Sequence, residues 1–303
     1  MSEPIVIRIA QINAVVGDIS ANLKSIESAC EKARTDGVDV LLTPELSVIG
    51  YPPEDLLLRP ALHQKLNWAY NSLLAMSYGL VLCVGLPTVV SVAKSDLRID
   101  NETADPPRLH NSVALFSNGE LLTVYNKQSL PNYQVFDERR YFAPGNVPCE
   151  IDIRGYKVGI LICEDVWVPD IIAKTCEQNI DIILVANASP FSEDKSDKRR
   201  KHIAEQSKSN FVPIIYANLV GGQDELIFDG GSFATNKQGD LIAQASWFEE
   251  DTLDLRLEGG DLTSFDLKPR PSRDALLYSA LVTGVRDYFA KTGFKKAVLG
   301  LSG

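Results

Sequence analysis

Residues 80–90, LVLCVGLPTVV, are apolar along almost their whole length, and no other feature of the sequence limits the fold so tightly. A short uniform run of this kind is a strand covered on both faces, so the sheet that holds it must have further layers above and below. The flanking segments supply them. Residues 5–13 read as a strand, 21–35 have helical spacing with Ser20 placed as the cap, and 38–42 form a short apolar strand running into Thr43-Pro44-Glu45. Residues 59–77 are again spaced as a helix. A β-α-β opening with a doubly covered strand predicts a layered α/β sheet.

The second part of the chain adds hairpins to this pattern. Strands 111–116 and 120–125 flank Asn118-Gly119, a dipeptide that tolerates the positive φ of a tight turn, and a second hairpin spans 232–245 around Gln238-Gly239. Between them lie strand 158–162, helix 169–178, strand 181–186, helix 198–209 and strand 212–217. Antiparallel hairpins inserted among alternating strands and helices predict mixed sheets, and a plain Rossmann fold fits poorly. Residues 91–108 are polar, charged and broken by two prolines, which predicts a loop or insertion without an assigned role. After Gly259-Gly260 the composition changes. A helix is predicted at 273–291 and a strand at 296–303, and a strand that stops on Ser302-Gly303 suggests the front part of a longer chain.

With 303 residues the chain can bury a large core, as one α/β domain with an extension or as two domains. Its 30 Lys and Arg against 40 Asp and Glu give a net charge of −10, so the mean surface field repels phosphate backbones and anionic headgroups. Neither nucleic acid nor membrane is expected as a partner. Five cysteines, none at CxxC spacing, suggest neither a disulfide framework nor a zinc ribbon. The N-terminus lacks a basic start and apolar block, and no apolar run reaches the roughly 18 residues of a membrane helix. A cytoplasmic location is expected.

Three residues stand where strands end. Cys163 closes the apolar run GILIC, where a sulfur can meet substrate at the mouth of a sheet, although a cysteine in such a run is more often plain core. A thiol of ordinary pKa is mostly protonated at neutral pH, so a nucleophile there needs a base and a cation from elsewhere. Glu45 could be the base; equally, Thr43-Pro44-Glu45 has the form of a helix start, with Thr as cap and the acid facing the dipole. Lys127 could be the cation or a solvated surface charge. Together the three provide a thiol, a carboxylate and an ammonium, the parts of an acyl-transfer site. His63, His110 and His202 lie outside any strand-end motif, which argues against a Cys–His pair and against a histidine-rich metal site.

The stretches TPEL (43–46), NKQSLPNYQVFDERRYF (126–142), LICEDVW (161–167) and NASPF (187–191) resemble the carbon–nitrogen hydrolase, or nitrilase, superfamily. Within it, ELSVIGYPPEDLLLR (45–59), LPNYQVFDERRYF and VGGQDELIFDGGSF (220–233) look like the glutaminase part of the glutamine-dependent NAD(+) synthetases, and 273–303 looks like the start of their synthetase part. The resemblance implies a four-layer αββα sandwich with mixed sheets. It implies a glutaminase domain at 1–260, a linker at 261–272 and a truncated synthetase domain from 273. Its triad falls on Glu45, Lys127 and Cys163, which would hydrolyse L-glutamine through a thioester without a cofactor or metal. Glu138 matches a second glutamate, with Asp137 as a rival. Tyr133 and Phe136 match the glutamine pocket; Ser189 and Lys195 match positions that hold the amino acid's α-groups, with Arg199 an alternative to Lys195. Ser302 and Gly303 match the opening of an ATP loop. In the whole enzyme, ATP and magnesium would serve the amidation of nicotinic acid adenine dinucleotide, and a homo-oligomer is implied. A stand-alone amidase or nitrilase, and a non-catalytic structural or regulatory homologue, remain alternative readings.

Overall fold

The computed structural model describes residues 2–89, 108–263 and 266–302. In chain order the elements are β1 (Ile5–Gln11), α1 (Ile19–Thr35), β2 (Val40–Leu42), α2 (Pro60–Met76), β3 (Val81–Val89), β4 (Leu109–Ser117), β5 (Glu120–Asn126), α3 (Glu138–Tyr141), β6 (Cys149–Ile153), β7 (Tyr156–Ile162), α4 (Pro169–Cys176), β8 (Ile182–Asn187), α5 (Lys195–Asn210) and β9 (Ile214–Asn218). There follow β10 (Val220–Gln223), β11 (Leu226–Asp229), β12 (Phe233–Thr235), β13 (Leu241–Gln244), β14 (Asp251–Glu258), β15 (Asp261–Leu262), β16 (Asp266–Leu267) and α6 (Arg273–Thr292). Two sheets of seven strands are formed by the described residues, in the orders β15-β14-β1-β2-β3-β4-β5 and β16-β13-β12-β9-β8-β7-β6. Both are mixed: β1, β2 and β3 run parallel, as do β7, β8 and β9, while β3-β4-β5 and β6-β7 are antiparallel.

The two-residue period of the strands sorts their side chains between layers. Ile5, Ile7 and Ile9 of β1 and Val40 and Leu42 of β2 enter the core shared with the second sheet, among Val158, Ile160 and Ile183. Ala10, Leu41, Leu82 and Val84 point the other way, onto Leu23 and Ile26 of α1 and Leu66 and Leu73 of α2. Ile172 of α4 and Ile203 of α5 cover the outer face of the second sheet. The order is helix, sheet, sheet, helix, an α/β sandwich of four layers. Each fully buried Ile or Leu contributes about 1.5–3 kcal/mol, which makes the inter-sheet core the main source of stability.

Several local expectations need correction. Asp18, not Ser20, caps α1: its Oδ1 accepts from the Ala21 N–H at 3.0 Å, and Ser20 lies within the first turn. Thr43-Pro44-Glu45 starts no helix, because the backbone there is drawn against β3. A Cβ on Gly85 would come within 2.4 Å of the Pro44 carbonyl and 2.5 Å of the Leu46 N, so glycine in this otherwise apolar strand is what lets Glu45 lie across it. The strand expected at 296–303 does not form over 296–302; these residues are exposed coil, and no strand among the described residues pairs with them. Residues 90–107, most of the expected insertion, and Gly303 lie outside the described residues.

α6 packs on the β10–β11 hairpin. Leu276 and Ala280 join Trp247 and Phe248 in a small core, and Asp287 accepts the Gly222 N–H and the Asn13 side-chain amide, each at 2.8 Å. Among the described residues no helix is long and apolar enough to cross a membrane.

Candidate active site

Four strand ends deliver the polar groups of the site: β2 leads to Glu45, β5 to Lys127, β7 to Cys163 and β8 to Ala188. Glycine again permits a close approach, since a Cβ on Gly145 would come within 2.2 Å of the Asn126 carbonyl beside Lys127. The Lys127 ammonium donates to Glu45 Oε1 and to Glu138 Oε1, both at 2.7 Å. Glu45 Oε1 also accepts from Asn111 Nδ2 at 2.7 Å, and its Oε2 accepts the Ala188 N–H at 2.9 Å. The Tyr51 hydroxyl donates to Glu138 Oε1 at 2.9 Å, while Glu138 Oε2 is buried without a hydrogen-bond partner. Glu45 is 1% exposed, Lys127 0% and Glu138 4%.

Burying a lone ammonium is expensive and would drive the proton off. Burial acts in that direction on Lys127, but the carboxylates of Glu138 and Glu45 more than offset it and hold the amine well above its ordinary pKa. Two carboxylates around one ammonium leave a surplus negative charge. Glu138 responds: burial, helped by Glu45 and opposed by Lys127, pushes its carboxyl up to about 7.

Cys163 sits at 8% exposure on a short 3-10 turn, residues 163–167, with φ +45°, a left-handed conformation unusual for a residue with a side chain. Burial pushes its thiol far up, Glu45 adds to the rise, and Lys127 and Lys195 oppose it. The resting sulfur is therefore a protonated thiol beside a carboxylate and an ammonium. Cys30 and Cys83, by comparison, are fully buried in the apolar cores.

The other expected residues fall around this cluster. Tyr133 is half-exposed and donates to Glu164 Oε2 at 2.9 Å; Phe136 is buried, its ring edge-on to Tyr133 at 5.5 Å and to Tyr51 at 6.4 Å. Lys195 opens α5 with its Nζ 5.5 Å from the Phe136 ring centroid, and burial lowers its pKa. Ser189 is buried, its N–H given to Asn218 Oδ1 at 3.0 Å. Of the rivals, Asp137 points outward to Arg140 at 3.7 Å, and Arg199 is buried against Asp229 and the Ser189 carbonyl, so its fork is already occupied. Ser302 is exposed coil, well outside this cluster of contacts.

Two members of the cluster, Asn111 and Tyr51, are not among the residues expected from the sequence, although Tyr51 lies within the 45–59 stretch. Asn111 had a signal, a polar HNS stretch inside an apolar strand, since a buried amide there must find partners. Among the described residues no group of three or more His, Cys, Asp or Glu side chains is arranged to hold a metal ion.

A buried thiol, a carboxylate and an ammonium at the strand ends of a four-layer sandwich supply the parts that acyl-transfer chemistry of the hydrolase class requires. Residues 6–265 match the carbon-nitrogen hydrolase family, and the chain belongs to it. It is 37% identical over 304 residues to the glutamine-dependent NAD(+) synthetase of Acinetobacter baylyi, covering 98% of this chain and 52% of that one. The solved structure of the glutamine-dependent NAD+ synthetase from Acinetobacter baumannii in complex with ADP superposes with a TM-score of 0.89 at 34% identity, over 96% of this chain and 53% of that chain. A glutamate-to-glutamine mutant of the amidase from Nesterenkonia sp. AN1, with an acetamide moiety added covalently at its active-site cysteine, superposes with a TM-score of 0.72 at 25% identity, over 84% and 90%. The chain spans about half the length of the curated relatives it matches.

Proposed function

We propose that this chain is the glutamine-hydrolysing part of a glutamine-dependent NAD(+) synthetase, releasing ammonia from L-glutamine through a thioester on Cys163. The observation that carries the reading is the ion cluster Glu45–Lys127–Glu138, buried, tied together by hydrogen bonds and close enough to act electrostatically on the Cys163 thiol. Glu45 takes the thiol proton as Sγ attacks the side-chain amide carbon. The ammonium of Lys127 and the N–H of Glu164 oppose the charge that grows on the carbonyl oxygen. The C–N bond then breaks, the proton passes from Glu45 to the leaving nitrogen, and ammonia departs. Water, deprotonated by Glu45, cleaves the thioester to glutamate and restores the thiol.

Supporting roles follow from placement. Tyr133 and Phe136 wall the glutamine pocket, Lys195 faces the α-carboxylate, and Ser189 borders the α-amino group. The unpartnered Glu138 Oε2 is free to accept a hydrogen bond from substrate. Adenylation of nicotinic acid adenine dinucleotide by ATP belongs to the remaining half of such an enzyme, with Ser302 and Gly303 opening its nucleotide loop. Magnesium has no ligand set among the described residues, so no step here is routed through it. The outer face of α6 leaves Tyr278, Leu281 and Val285 exposed, which supports its belonging to a second folded unit, 273 onward, after a linker at 261–272. Self-association into a homo-oligomer and a cytoplasmic location complete the proposal.

Ammonia release from glutamine by the purified protein, abolished in Cys163→Ala, is the expected result; a glutamine-directed diazo-ketone should label Cys163 and none of the other four cysteines. The likeness to the amidase favours one competing reading, a stand-alone amidase. Preference for short amides or aliphatic nitriles over glutamine would establish that reading instead.

A further inference from the structure

Asp165 is fully buried, makes no direct ion pair among the described residues, feels the Lys127 ammonium only through space and takes no part in the chemistry above. Yet its carboxylate accepts four hydrogen bonds. Oδ1 takes the N–H groups of Gln128 and Ser129, at 3.0 and 2.7 Å; Oδ2 takes the Tyr125 hydroxyl and the Ile162 N–H, at 2.8 and 3.1 Å. Three of the donors bracket Lys127 in sequence. The fourth precedes Cys163, and Asp165 itself follows it by two residues. One side chain thus ties both flanks of the ammonium-bearing segment to both flanks of the sulfur-bearing turn.

That tie has something to hold. The turn starts on the left-handed backbone of Cys163, a conformation that strains a residue with a side chain and persists only where its surroundings over-determine it. The Ile162-to-Asp165 bond closes the turn on itself, and the bonds to residues 125, 128 and 129 fix where it stands. We propose that Asp165 is the positioning residue that sets the Cys163 sulfur against the Lys127 ammonium. The inference rests on the thiol mechanism proposed above. Burial holds the Asp165 carboxyl up to about 6, which leaves it ionised at neutral pH, and charge-assisted bonds are roughly twice as strong as neutral ones.

The geometry also says what an isosteric amide would do. Whichever way the side chain of Asp165→Asn is turned, its NH2 group faces at least one backbone N–H, so one arm of the tie opens. A displacement of about 1 Å can cost about 10²-fold in rate. Asp165→Asn is accordingly expected to lower kcat for glutamine about 100-fold, with KM changed by less than about threefold. Iodoacetamide, which needs no substrate, gives the second readout: alkylation of Cys163, followed by peptide mass spectrometry with the other cysteines as internal references, is expected to slow about tenfold. Removal of a negative charge acting only through space would favour the thiolate and speed that labelling, so its direction separates placement from electrostatics.

Unchanged or faster labelling of folded Asp165→Asn overturns the proposal. So does a loss of turnover that vanishes once rates are expressed per diazo-ketone-titrated site. Tyr125→Phe removes one donor and leaves the turn intact; it is expected to lower both rates about threefold. Should Asp165→Asn not fold, wild-type labelling and turnover in Tyr125→Phe overturns the proposal in its place. A wild-type protein that is alkylated at Cys163 but does not hydrolyse glutamine refutes the glutaminase reading, and the alkylation comparison still decides the role of Asp165.

Discussion

Among the described residues Lys127 and Arg199 are the two most deeply buried cations, and unlike Arg8, whose carboxylate partners are half exposed, both face carboxylates that are themselves buried; their settings differ in one respect. Arg199 meets a single carboxylate, Asp229, whose other oxygen accepts from Asn218 Nδ2 at 3.2 Å; its remaining arm reaches the Ser189 carbonyl at 3.1 Å. One charge answers one charge. Lys127 meets two carboxylates, Glu45 and Glu138, and one of their four oxygens has no partner. Both cations are almost wholly buried, so burial does not separate a structural ion pair from a reactive site. The imbalance does: an excess negative charge and an open acceptor have no use in holding a fold together, and they suit a site that must take up a proton and receive a polar ligand.

The contrast can be broken by substitution. The largest effect is expected for Lys127→Met, which leaves two buried carboxylates facing each other and removes the charge opposite the oxyanion: turnover should fall at least about 10³-fold, read as ammonia release per folded molecule. Asp229→Ala should do the reverse, costing about 3–5 kcal/mol of stability in denaturant titrations because Arg199 is left unpaired, while kcat per folded molecule stays within about threefold. Equal losses of turnover in the two variants would erase the distinction.

Acidity sharpens it. The Glu138 carboxyl is raised from an ordinary 4.5 to about 7, so the native state holds its proton where the unfolded state has lost it. Its stabilising contribution is complete below the ordinary value and drains away as pH rises through about 7, by at most ~3 kcal/mol. Melting curves of Glu138→Gln should lack that decline between mildly acidic and neutral pH; an identical decline in the variant would mean that the surplus charge resides elsewhere. The smallest effect belongs to Lys195→Met: KM for glutamine should rise about tenfold, with kcat little changed, since a partly exposed ammonium offers its ligand only about 1–2 kcal/mol.

Much of this architecture was legible in the residues themselves. The almost wholly apolar run 80–90 announced a covered strand, and Asn118-Gly119 announced its hairpin. Glu45, Lys127 and Cys163 could be picked out because each follows a strand, though local pattern left every one of them with a bland alternative. What the pattern could not convey is contact across long separations: Asn111 meets Glu45 66 residues away, and Tyr51 meets Glu138 87 residues away. Arg199 was hidden in a run of surface charge, SEDKSDKRRK. Helical spacing held the missing clue, because Ser196, Arg199, Ile203 and Ser207 recur at three and four residues and all face inward.

The left-handed backbone at Cys163 has an evolutionary corollary. At that angle glycine would rest without steric conflict, whereas most residues with a side chain, cysteine included, are strained there. Selection for thermal endurance alone, with catalysis unmonitored, would therefore push codon 163 toward glycine, and a lineage that keeps sulfur at this spot advertises continuing demand for the reaction. Sequence surveys of catalytically silent descendants should find the position drifting first.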